Sequence, residues 1–190
     1  MTRKIPALFV LLAPALVCAQ AVGQAVDEAA KANRIDACSL LSSTEISKAI
    51  GVTVDAGHRH DEGMQPDGSY SSTCMWQIEE NTKLPLAGRG HRFVILSAIQ
   101  WPAGRGLAHT YLQAFHNAAE NGDIPHKPRP RRFGDEALWW GDGLAVRKGD
   151  LSFGISVFMP RANSPRSSVL EERLAPHILR NIAQRTDGAV

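Results

Sequence analysis

The chain has 190 residues, 44% of them apolar, with 21 Lys and Arg against 19 Asp and Glu. Arg3 and Lys4 account for the whole formal net charge of +2. The balanced remainder excludes bulk electrostatic capture of nucleic acid or of an anionic membrane surface.

The first residues carry the pattern of an export signal, residues 1–19. Arg3 and Lys4 form a positive start, and Ile5 to Val17 is an apolar stretch too short and too interrupted by proline to span a membrane. Small residues around Val17-Cys18-Ala19 offer a cleavage point, placed here after Ala19. A lipid anchor on Cys18 is the alternative. It is disfavoured because the residue before the cysteine, Val17, is bulky and β-branched. With the leader removed, two cysteines remain, Cys38 and Cys74, in a chain bound for an oxidising compartment. A bridge between them would close about 37 residues and stabilise the fold by roughly 3–4 kcal/mol. Localisation is accordingly expected to be periplasmic or secreted, with no transmembrane helix after signal removal.

Residues 20–34 read as a flexible or helical tether, 35–186 as a single α+β domain, and 187–190 as a frayed tail. In the domain, Ser42-x-x-Glu45 is a capping box, flanked by Leu41 and Ile46 as a hydrophobic staple and closed by Gly51. Val52 to Val54 can begin a strand. Residues 55–72 are dominated by Gly, Asp, Ser, His and Pro and are expected to form a long surface loop. Thr73 to Glu79 alternates, with Cys74, Trp76 and Ile78 on one face and Thr73, Met75 and Gln77 on the other. Arg92 to Trp101 is apolar on both faces and is expected to be central. Ala-Gly-Arg-Gly occurs at Ala87–Gly90 and Ala103–Gly106; neither copy has phosphate-loop spacing, and both read as turns.

Leu107 to Asn121 is an amphipathic helix stopped by Gly122, with His109 and His116 on its solvent side. The basic run His126-Lys127-Pro128-Arg129-Pro130-Arg131-Arg132 is extended by its prolines. Then Ala137–Trp140, Leu144–Lys148 and Leu151–Phe158 form a three-stranded meander with one wet face. A final helix begins near Ser168, with Ser168-x-x-Glu171 as a second capping box and Pro176 predicting a kink or interruption. The order is helix, strands, helix, three-strand meander, helix. It defines an α+β fold, an antiparallel sheet with helices mainly on one face.

Several short motifs, Asp36-Ala37-Cys38-Ser39-Leu40-Leu41, Cys74-x-Trp76, Phe133-Gly134-Asp135-Glu136-Ala137 and Arg147-Lys148-Gly149-Asp150, resemble those of small exported bacterial proteins. Many of those are lipoproteins with a domain of unknown function, and some are similar to extracellular sensor domains of bacterial receptor kinases. The resemblance implies an exported, disulfide-stapled α+β domain and no reaction.

Candidate chemistry is sparse. His58 and His60 with Asp61 and Glu62 form the sharpest metal-ligating pattern, set against the plainer reading of a polar loop. Arg129, Arg131 and Arg132 could face an acidic partner, against a solvated connector as the plainer reading. Trp139 and Trp140, adjacent on a strand, must point to opposite faces, one to the core and the other to a helix or a binding surface. No nucleophile elbow, zincin motif or Ser-x-x-Lys is present, so no catalytic residue is assigned and no cofactor is implied. The leading expectation is a non-catalytic interaction or ligand-sensing domain whose partner is an envelope protein or a small ligand. The alternative is a small cell-envelope hydrolase whose carboxylates and histidines meet only in the fold.

Overall fold

A computed structural model describes residues 34–79, 92–159 and 168–187. The leader, most of the tether, the Ala87–Gly90 turn and residues 188–190 lie outside the described residues. Ile35–Val190 forms one compact unit.

Seven antiparallel strands make a single sheet in the order β1-β2-β3-β7-β6-β5-β4. These are β1 His58–Met64, β2 Tyr70–Gln77, β3 Phe93–Gln100, β4 Arg129–Arg131, β5 Glu136–Trp139, β6 Leu144–Lys148 and β7 Leu151–Phe158. The helices are α1 Ser43–Ile50, α2 Leu107–Asn121 and α3 Val169–Asp187, preceded by a 3-10 turn at Ala37–Ser39. The expected α+β order therefore holds. β3 is central as predicted, paired along its whole length with β2 on one side and β7 on the other.

The helix ends follow their local chemistry. Ser42 and Glu45 form both halves of the capping box, and Gly51 ends α1 at φ 73°, a conformation that costs other residues more. α2 begins and ends where its apolar stripe does. α3 runs unbroken through Pro176, so the interruption does not occur. That residue lies on the exposed side of the helix. At the second capping box the carboxylate has a tertiary partner. Glu171 is buried and its Oε1 accepts from Val157 N of β7 at 3.0 Å, while the Ser168 hydroxyl meets Glu172. Tertiary pairing has taken the carboxylate that local spacing assigned to the cap.

One face of the sheet packs against the 3-10 turn, α1 and α3. Leu40, Ile46, Trp76, Leu96, Phe153, Ile155, Leu174 and Ile178 fill that core. The meander's other face is not wet. Leu112 of α2 packs there on Leu138 and Ala145, with Tyr111, Phe115 and Trp140 around them. Trp101 Nε1 donates to Ser152 Oγ at 2.7 Å, so β7's small polar residues also lie under aromatic rings. α2 thus lies on the side opposite α1 and α3, and it covers the β5–β6 end of the sheet.

The clearest departure from expectation is residues 55–72. They are not a loop: β1 pairs with β2, and only residues 65–69 make the connecting turn. Backbone pairing at a sheet edge needs no apolar alternation, so composition conceals such a strand. Val54 meanwhile contributes one isolated bridge to Ile78 rather than a strand.

Candidate functional site

Cys38 and Cys74 are bonded, with Cα atoms 5.0 Å apart. The bridge joins the 3-10 turn to β2, and two further contacts reinforce it. Ala37 N donates to the buried Ser72 Oγ at 3.1 Å, and Asp36 caps the turn while its Oδ2 takes Arg59 Nη1 at 2.7 Å. β1 is therefore moored to the same node.

Alternation along β1 divides the residues singled out as metal ligands. His58 and His60 stand opposite Met75 and Thr73, on the face away from α1 and α3. Arg59 and Asp61 stand opposite Cys74 and Ser72, on the other face. Asp61 is held there by Arg59 at 2.7 Å and by the Tyr70 hydroxyl at 3.0 Å. Glu62 falls at the β-bulge between Asp61 and Gly63. Among the described residues no group of three or more His, Cys, Asp or Glu side chains is placed to hold a metal.

The Arg59 hydrogen bond holds the Asp61 carboxyl down at about 2; burial opposes the shift, and Ser72 and Tyr70 reinforce it. Because this group titrates lower in the folded chain than in the unfolded one, its stabilisation is complete above about pH 4. It disappears as pH falls through the folded value of about 2. Asp61→Asn should remove this acid-dependent component, about 1 kcal/mol after discounting for solvent screening. Denaturant unfolding at pH 2 and pH 5 measures it. An unchanged pH 5 to pH 2 difference in the variant would exclude the assignment.

The basic segment is also divided. Arg131 Nε lies 2.6 Å from Glu172 Oε1 and its Nη2 donates to Ser168 Oγ, fastening edge strand β4 to the start of α3. Arg129 and Arg132 are exposed. The tryptophans separate as strand geometry requires. Trp139 is 7% exposed in the main core, whereas Trp140 packs under α2 with its ring 5.0 Å from that of Phe115. Of the expected surface of arginines and one tryptophan, Arg129 and Arg132 are exposed, and Arg131 and Trp140 are half-buried.

Two motifs recognised in the sequence meet in a clasp. Asp135 accepts from Gly149 N at 2.7 Å and Lys148 Nζ at 3.1 Å, and these contacts lower its pKa. Gly134 adopts φ 57° where a Cβ would run into the Arg147 carbonyl. Beside the clasp, Glu136 takes His109 of α2 at 2.8 Å, so that histidine is not purely solvated. His116 is exposed. These motifs build turns and fix elements.

No described helix covers the face shared by β1, β2 and β3. Met75 is 43% exposed there. Thr73 and Ser97 share a hydrogen bond of 3.0 Å, Ile95 is half-buried, and Phe93 stacks on Phe158 of β7 with ring centroids 4.5 Å apart. Sequence alternation placed Met75 on this side; what it missed was β1, which brings His58 and His60 onto the same face. No helix of the described residues is long and apolar enough to cross a membrane. No protein-family model, curated protein or solved structure matches the chain.

Proposed function

We propose that the protein is an exported, non-catalytic interaction or ligand-sensing domain that binds through the open face of β1, β2 and β3. The partner is an envelope protein or a small ligand. The observation carrying this reading is the half-exposed set Met75, Ile95 and Phe93, in strands with a partner on each side yet without a described helix over them. Both sheet edges are poor templates for strand addition. β1 is lined with charge and β4 carries Pro130, which lacks a backbone donor. The disulfide is compatible with an oxidising compartment outside the cytoplasm.

The carboxylates are largely occupied in structural work, which weighs against the hydrolase alternative. Asp36 and Asp61 hold Arg59, Glu45 caps α1, Asp135 holds a turn, and Glu172 holds Arg131.

Amide NMR of the isotope-labelled chain against fractionated envelope extract tests the reading. Perturbed resonances should cluster on Thr73, Met75, Ile95 and Ser97, and Ile95→Asp should abolish them. Perturbations confined to α1 and α3, or unaffected by Ile95→Asp, would refute binding at this face.

A further inference from the structure

We propose that His58, His60 and Met75 form a binding site for monovalent copper on the open sheet face. The inference names a ligand class for the surface proposed above and rests on that reading. Three observations converge on it. His58 and His60 are two residues apart on one strand and share a face, which places their Cβ atoms about 7 Å apart. Met75 stands directly opposite His58 on β2, with paired Cβ atoms about 5 Å apart. All three side chains are exposed, and Met75 is a large apolar residue left out of the core.

A metal site on a loop of glycines lacks anything to hold its ligands, but these residues are on paired strands. His58 also has an orienting partner. Asp55 Oδ2 lies 3.4 Å from His58 Nε2. Asp55 is itself fixed, because its Oδ1 accepts from Gln77 N at 2.7 Å and its carbonyl accepts from the Ser43 hydroxyl at 2.6 Å. With the Asp55 carboxylate beside Nε2, Nδ1 is the nitrogen left for a metal, and carboxylates outside the ligand shell commonly orient a ligating imidazole in this way.

The donor set selects the ion. Zinc sites are completed by thiolate, imidazole or carboxylate, whereas a neutral thioether beside two imidazoles favours cuprous copper. Asp61, next to His60 on the strand, is turned to the other face and engaged by Arg59. Thr73, opposite His60, is hydrogen-bonded to Ser97 rather than directed at the site. Binding requires no electron transfer: the ion arrives and leaves as copper(I), and any proton on a ligating nitrogen is released to solvent.

The test uses the full chain carrying Cys18→Ala, with the Cys38–Cys74 bridge verified as oxidised, so that no thiol competes. Copper(I) is supplied anaerobically as its bicinchoninate complex with ascorbate. The chain should withdraw one equivalent, and copper X-ray absorption should show a sulfur neighbour. Met75→Leu should weaken copper(I) at least tenfold, remove the sulfur signal, and leave the unfolding temperature and weaker zinc binding unchanged. His60→Gln should weaken both metals, and Asp55→Asn should cost about tenfold. Failure to take copper from the chelator, wild-type affinity in Met75→Leu, or tighter zinc than copper(I) would each overturn the proposal. Those failures concern the metal alone; amide perturbation by an envelope ligand could still appear on the same face.

Discussion

Replacing Cys38 and Cys74 together by alanine is expected to lower the unfolding free energy by about 3–4 kcal/mol. For a domain of this size that corresponds to a fall of about 10 °C in Tm. The bridge spans a sequence separation of 36, so its loss returns a large loop to the unfolded ensemble. It also frees the 3-10 turn, whose remaining ties to the sheet include single hydrogen bonds through Ser72 and Arg59. Wild-type protein in a strong thiol reductant should approach the variant's Tm in calorimetry. A shift below about 2 °C in both experiments would show that the turn holds without its bridge.

The second large effect is expected at Gly57. A Cβ at this position would lie 2.6 Å from Trp76 Nε1 and 2.7 Å from Cys74 Sγ. Neither neighbour has room to yield: Trp76 is 1% exposed and the sulfur is bonded to Cys38. Gly57→Ala should therefore destabilise by about 2–3 kcal/mol, as overpacking of a filled core does. In the double-alanine background at 38 and 74 the same change should cost about 1 kcal/mol less, because the sulfur is gone and only the Trp76 ring still opposes the Cβ. Equilibrium denaturation of the four proteins gives this coupling. Full additivity would mean that the bridge does not confine the backbone at Gly57.

These two predictions meet at the stretch whose chemistry was most legible in the sequence. The capping box at Ser42 and Glu45, the stop at Gly51 and the alternation of Cys74, Trp76 and Ile78 are set by near neighbours, and each appears in the fold. α2 is likewise delimited by its own stripe and by Gly122. What the sequence concealed depends on partners distant along the chain. β1 carries no apolar alternation because its stability comes from backbone pairing with β2. Glu171 has the spacing of a cap but turns to β7. The side of the sheet that α2 covers is decided by the path from β3 at the centre to β4 at the far edge.

The candidate site follows the same division. His58 and His60 are visible in the sequence as a pair, and Met75 as a residue on the strand face opposite Cys74 and Trp76. Their juxtaposition is a property of β1–β2 register, and a slip of one residue would place Cys74 opposite His58 instead. Arg131, a surface candidate in the proline-extended basic run, is drawn toward α3 by Glu172, and of the two adjacent tryptophans it is Trp139 that enters the main core.

The proposed function rests on an exported chain clamped by oxidation into the scaffold that carries this face. Peptide mapping without reductant, on protein recovered from the envelope of expressing bacteria, tests it most directly. A cross-linked fragment pair containing Cys38 and Cys74, on a chain beginning after Ala19, is the predicted result. Recovery of both cysteines as freely alkylated thiols, on a chain that retains its leader in the cytosolic fraction, would contradict it.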